Sequence, residues 1–150
     1  MSQCFDLNVS VSENMIASAH FDGAVRLWSL RTGEMSTEIK NVHDDSISCV
    51  RFTPDEKYFV TTGKDHTIRI YDIRTNTEVS KFSHDLYKCG SNTNRLCISS
   101  NSKYVVAGSQ NGCGKLCKYK ILVIIYDLVT NEIEEIYENI HSSAVVACEW

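Results

Sequence analysis

The sequence predicts an all-β chain in which a four-stranded unit recurs, and three observations carry that prediction. Three segments align on one template: Ser18-Ala-His-Phe-Asp22-Gly-Ala-Val-Arg-Leu-Trp28, then Thr61-Thr-Gly-Lys-Asp65-His-Thr-Ile-Arg-Ile-Tyr71, then Ala107-Gly-Ser-Gln-Asn111-Gly-Cys113 resumed at Val123-Ile-Ile-Tyr126. The spacing from Trp28 to Tyr71 is 43 residues, within the roughly 40–45 of one propeller blade. Between these signatures the chain alternates apolar and polar residues between turns, and no stretch shows a helical period. The predicted fold is therefore an incomplete β-propeller. At about 40–45 residues per blade, 150 residues give about three and a half blades, where a seven-bladed ring needs about 300 residues.

The elements follow in chain order. The first blade segment, residues 1–40, opens with a strand at Cys4 to Leu7 and carries Val25 to Trp28 as a later strand. The second, residues 41–82, begins at Ile47 to Phe52, where Ile47, Cys49 or Val50, and Phe52 supply the apolar positions. Thr53-Pro54-Asp55-Glu56 turns the chain, because Pro54 presets φ near -65°. Lys57 to Thr62 is the second strand, Gly63 to His66 a turn, Thr67 to Ile73 the third strand, and Glu78 to Phe82 the outer one. In the third strand Ile68 and Ile70 share one face, with Thr67, Arg69 and Tyr71 on the other. The third segment, residues 83–138, repeats the plan and ends in an acidic outer strand bearing Glu132, Glu134, Glu135 and Glu138, read as a solvated, edge-protecting face. Residues 139–150 start a further blade with an apolar strand ending in Trp150, so the chain is expected to be part of a longer product.

One unit is interrupted. Tyr71 to Tyr126 is 55 residues, and removing the nine residues Gly114 to Leu122 restores the register of the template. These residues can be encoded by codons that open with a donor-like GTAAGT and close with an acceptor-like TTAG, so 114–122 is read as an insertion or a retained intron. As a true loop it would place Lys115, Lys118 and Lys120 in a local basic patch.

Composition narrows the function classes. Hydrophobic residues at 43% are enough for a core, which argues against disorder. Lys and Arg number 15 against 19 Asp and Glu, for a net charge of -4, so the basic excess that nucleic acid requires is missing. The longest apolar run, Ile121 to Tyr126, is six residues, far short of the roughly 20 of a membrane-spanning helix. Met1 to Asn8 has neither a basic n-region nor an apolar h-region, so the expected compartment is the cytoplasm. The Asn8-Val9-Ser10 sequon is then idle. Seven cysteines, an odd number without an export signal, read as reduced thiols. Cys49, Cys97 and Cys148 lie in short apolar runs and are expected as small buried hydrophobes. Cys113 and Cys117 have no partner pair that would complete a zinc site, and no metal or cofactor is expected.

The template residues resemble those of the WD-repeat family. In that family a His before the first strand, a Ser or Thr in the second, an Asp in the next turn and a Trp in the third strand form a hydrogen-bonded set within a blade. The resemblance implies that role for His43, Thr61, Asp65 and Tyr71. It implies the same for Ser18, Asp22 and Trp28, with no His before the first strand, and for Asn111 and Tyr126; no set is complete. A Tyr hydroxyl does not replace an indole N–H as a donor in the same place, so these blades are expected to lean on apolar packing. Finer features narrow the resemblance: His20-Phe21-Asp22, Asp72-Ile-Arg-Thr-Asn76, Phe82-Ser83 leading to Lys88-Cys-Gly-Ser91, Tyr104-Val-Val-Ala-Gly-Ser109, Val129-Thr-Asn-Glu and His141-Ser-Ser143. These look like the C-terminal propeller of the autophagy-related protein 16 family. That resemblance implies a non-catalytic scaffold subunit that joins the conjugate of autophagy proteins 12 and 5 and directs lipidation of autophagy protein 8. It implies a cytoplasmic protein recruited peripherally to the phagophore membrane, whose propeller takes receptor or cargo proteins. The family's conjugate-binding coiled-coil part has no counterpart here, since no heptads appear.

Catalysis is not expected. His20, His43, His66, His84 and His141 fall at or near repeat boundaries, which suits blade architecture better than a catalytic triad. Gly108 to Leu116 misses the phosphate-loop pattern in both spacing and its hydroxyl residue. Binding is the stronger expectation. The residues just before each turn Asp or Asn, namely Phe21, Lys64 and Gln110, are expected on one rim of the propeller as partner contacts, with Phe21 leading because buried aromatics dominate interface hot spots. Two other readings stand beside this one. One is an unrelated WD-repeat scaffold of a ubiquitin ligase or signalling complex; the other is a phosphoinositide-binding autophagy propeller, whose Phe-Arg-Arg-Gly motif does not occur here.

Overall fold

A computed structural model describes residues 2–12, 14–85, 87–109, 122–138 and 147–150. Among these residues twelve strands form three four-stranded antiparallel meanders. The first blade is β1 (Cys4–Val9), β2 (Met15–His20), β3 (Val25–Ser29) and β4 (Met35–Ile39). The second is β5 (Ile47–Phe52), β6 (Tyr58–Gly63), β7 (Thr67–Asp72) and β8 (Thr77–Ser83). The third is β9 (Leu96–Ile98), β10 (Tyr104–Ser109), β11 (Leu122–Asp127) and β12 (Glu132–Glu138). Leu122, expected within the extra segment, opens β11 and pairs with Ser109. The rest of that segment lies outside the described residues. Residues 147–150 are not a strand, yet they lie beside the third blade, where Trp150 stacks on Tyr104 with centroids 6.0 Å apart.

Repeated turn chemistry explains why each unit folds alike. The turns Ser29 to Gly33, Asp72 to Asn76 and Asp127 to Asn131 all end in a residue at φ between 56° and 71°, a conformation open to Gly and tolerated by Asn. Asp72 Oδ1 accepts from the N–H of Arg74 and Thr75, and Asp127 Oδ1 from those of Val129 and Thr130. At the same end of the second and third sheets the Thr53 and Ser99 hydroxyls serve one role: each donates to the side chain two residues on and accepts the N–H five residues on.

The blades pack face to face, so the central second sheet is buried on both sides. Ala17, Ala19, Val25 and Leu27 of the first blade meet Val50, Phe52, Phe59 and Tyr71 of the second. Val60, Ile68, Ile70 and Phe82 meet Leu96, Val105, Ile124 and Tyr126 of the third. A bulge at Ser48 decides how β5 is shared, because one extra residue inverts the alternation. Ile47, Val50 and Phe52 consequently face the first blade while Cys49 faces the third. Both alternatives at Cys49 or Val50 are thus apolar positions, on opposite faces.

Candidate protein-binding rim

The β2–β3 and β6–β7 turns lie on one edge of the blades. Phe21 sits in the first of these turns, its N–H donating to the Gln3 carbonyl at 2.8 Å. Its ring meets Phe5 edge-on at 6.1 Å, yet Phe21 is 62% exposed. Gly23 makes the turn possible: it takes φ +70°, and a Cβ there would lie 2.4 Å from the His43 carbonyl oxygen. Beside Phe21 a shallow polar groove is lined by Asp22, Ala24, Arg26, Glu38, Lys40 and Asn41. Within it Arg26 bridges Asp22 and Glu38, both at 2.7 Å. Lys64, in the matching turn, is half-buried, with its N–H on the Ser46 carbonyl. Gln110 and Asn111 lie outside the described residues, as do His141 to Ser143.

Below the rim the structure brings together part of each of the first two expected blade sets, with departures at Tyr71, His20 and Asp22. In the second blade His43 Nδ1 donates to Asp65 Oδ1 at 2.8 Å and Nε2 shares a hydrogen bond with the Thr61 hydroxyl at 2.8 Å. Asp65 also accepts from Thr67 and the Asp44 N–H, and pairs with Arg69 at 3.3 Å. Burial alone would raise the Asp65 pKa; the hydrogen bond and charge of His43, with Thr67 and the Asp44 N–H, outweigh it and hold the carboxyl well below the usual range. Tyr71 does not join. It stacks on Phe59 at 5.3 Å and turns its hydroxyl to Glu78. In the first blade Trp28 Nε1–H donates to Ser18 Oγ at 2.8 Å, and Ser18 meets His20 Nε2 at 2.9 Å. A His is therefore present in the first set after all, supplied by β2 itself: residues two apart on a strand share a face. Asp22 is drawn outward to Arg26 rather than to His20. Tyr126 bonds Asn131 and Ser80.

The Thr61–His43–Asp65 chain has the connectivity of a hydrolytic triad, but Thr61 is 0% exposed and His43 only 3%. No substrate atom reaches that hydroxyl, so the arrangement holds β6 to the loop between β4 and β5. Among the described residues no three His, Cys, Asp or Glu side chains group as metal ligands, and no helix is long and apolar enough to cross a membrane.

Sequence reasoning missed two features. The first is an axial junction, where Asp6 of β1 accepts the Val50 N–H and Arg51 Nη1 at 2.6 Å and faces Arg95 Nε of the third blade at 3.6 Å. Asn8 likewise accepts the Phe52 N–H. The second is the segment around Lys88-Cys-Gly-Ser91. Tyr87 is fully buried and bonds Thr62 Oγ1 at 2.6 Å, while the Cys89 N–H donates to His66 Nδ1. Burial pushes both the Tyr87 phenol and the Cys89 thiol up. This segment is a bridge between the second and third blades.

With this geometry in view, the likeness to known proteins is informative. The WD domain, G-beta repeat profile matches residues 36–72, a span from β4 through β7, so one sequence repeat straddles two blades. The chain is 28% identical to protein tipD of Dictyostelium discoideum over 99% of its own length and 24% of that protein. It is 27% identical to autophagy-related protein 16 of Arabidopsis thaliana over 99% of its length and 27% of that protein. It thus spans about a quarter of the length of these relatives. Guanine nucleotide-binding protein β subunits match over a shorter stretch. The crystal structure of RRP9 WD40 repeats superposes with a TM-score of 0.81 at 17% identity, over 96% of this chain and 41% of that one. Three radial meanders, the repeat match at residues 36–72 and this superposition agree: the chain folds as an incomplete WD-repeat β-propeller, similar along its length to autophagy-related protein 16.

Proposed function

We propose that the chain is a non-catalytic protein-docking module of an autophagy-related protein 16-like subunit and that partners dock on the rim around Phe21. The observation that supports docking there is the exposure of Phe21: a large aromatic at 62% exposure on a turn fixed by Gly23 and two backbone hydrogen bonds loses little freedom on binding. The neighbouring groove supplies both signs of charge, from Asp22, Glu38, Arg26 and Lys40, for orienting a partner. In this reading the module takes receptor or cargo proteins, and the longer parent protein joins the conjugate of autophagy proteins 12 and 5 to direct lipidation of autophagy protein 8 at the phagophore. Membrane contact is peripheral and nucleic acid is not a partner.

The test is Phe21→Ala in the parent protein. Losing a hot-spot aromatic costs about 2 kcal/mol, or about 30-fold in affinity, while the melting temperature stays within a few degrees. Unchanged affinity removes the rim from the account. The guanine nucleotide-binding protein β matches favour a second reading, a WD-repeat scaffold of a signalling complex. Co-purification of the parent protein with the 12–5 conjugate supports the first reading, and its absence supports the second.

A further inference from the structure

Cys97 and Cys148 depart from the buried, inert thiols that their apolar sequence contexts imply. Both are only partly buried, and both line one open groove with Arg51, Phe52, Arg95 and Trp150. The Cys148 thiol donates to the Val106 carbonyl at 3.0 Å and lies 3.6 Å from the Arg95 carbonyl. Val106 is the cross-strand partner of Cys97, and Arg95 precedes Cys97 by two residues, so the Cys148 sulfur lies against the β9–β10 pair on either side of Cys97.

We propose that Cys148 and Cys97 form an oxidisable dithiol, a modification site at which a peroxide converts the pair to a disulfide that fastens residues 147–150 to β9. The electrostatics assign the roles. The Cys97 thiol hydrogen-bonds Cys148 and lowers its pKa against the opposing effect of burial; the N–H groups of Cys97 and Gly108 and the charge of Arg51 act in the same direction. That hydrogen bond, then burial, raises Cys97. Cys148 is therefore the attacking thiolate and Cys97 the resolving thiol. The Cys148 sulfur attacks one peroxide oxygen, the O–O bond breaks, and the departing hydroxide takes a proton to leave as water. Cys97 then attacks the sulfenic sulfur, the S–S bond forms, and the S–O bond breaks as a second water leaves with the Cys97 proton. The peroxide is reduced and the two thiols lose two electrons. Cys49 cannot compete, since burial pushes its thiol up to about 12 and leaves little thiolate at neutral pH.

The experiment treats the folded 150-residue chain with hydrogen peroxide, alkylates the remaining thiols and maps tryptic peptides. The expected product joins Leu96–Lys103 to Ile121–Trp150. In 8 M urea the same treatment is expected to lose the preference for this pair, because the preference comes from the fold. In a Cys97→Ser variant Cys148 is expected to stop at the sulfenic acid, trapped by dimedone severalfold faster than the exposed Cys4. Absence of the 97–148 link in the folded chain, an equal preference in urea, or a Cys148 no faster than Cys4 would overturn the proposal.

Discussion

Removing the carboxylate of Asp65 is the sharpest perturbation of the second blade. Its side chain is 9% exposed and accepts from His43 at 2.8 Å, from the Thr67 hydroxyl at 2.8 Å and N–H at 3.1 Å, and from the Asp44 N–H at 3.2 Å, with Arg69 at 3.3 Å. In Asp65→Ala, His43 at 3% exposure and Arg69 at 8% both lose the buried carboxylate they share, and Thr67 and Glu78 replace it only in part. Breaking a buried pair from one side costs about 3–5 kcal/mol, a large part of the 5–15 kcal/mol that holds a domain together. Asp65→Asn keeps the shape and one acceptor, and is expected to cost about 1–3 kcal/mol. Urea unfolding of the chain, followed by far-ultraviolet circular dichroism, measures both. The pH dependence fixes the sign independently. The folded carboxyl lies below its unfolded value, so its stabilisation is complete above about pH 4 and fades as the pH falls further. The difference between wild type and Asp65→Asn should therefore be constant from pH 7 to 5 and shrink below pH 4. A cost under about 1 kcal/mol for Asp65→Ala, or a difference unchanged at pH 3, refutes the reasoning.

Two further substitutions test separate parts of the fold. Ser18→Ala strips the Trp28 indole and His20 of their shared partner; a loss of about 1–3 kcal/mol and an altered Trp28 emission are expected in fluorescence-detected unfolding. Gly23→Ala is expected to cost about 3 kcal/mol, from a left-handed φ that alone costs about 1–2 and the 2.4 Å approach to the His43 carbonyl oxygen. Gly33→Ala has a similar φ of 71° but nothing within 4 Å, and should cost about 1 kcal/mol; equal losses in calorimetry would contradict the close approach.

The blade plan was legible because turn chemistry recurs: β5 spans Ile47–Phe52 as the alternation implies, and its neighbours shift by only a residue or so. What stayed hidden depends on residues far apart in the chain. The face bearing Thr67, Arg69 and Tyr71 reads as polar, yet Arg69 is 8% exposed because the first blade and the His43 loop cover it. The junction of Asp6, Arg51 and Arg95 unites three blades, a contact no local pattern reveals. Cys97 and Cys148 sit in separate apolar runs that say nothing of their meeting. His20 was recoverable, since strand period two puts it on the face of Ser18; the family pattern drew attention instead to the loop before the first strand. At the rim, the turn position marked Phe21 and Lys64 alike, but the Ser46 contact and burial separate them.

The central claim is that this propeller serves an autophagy-related protein 16-like scaffold. It is tested most directly by disrupting the gene in its own organism and quantifying lipidated autophagy protein 8 under starvation. The account predicts a marked fall, restored by the wild-type gene. An unchanged lipidated fraction would contradict it and leave a WD-repeat scaffold of some other assembly.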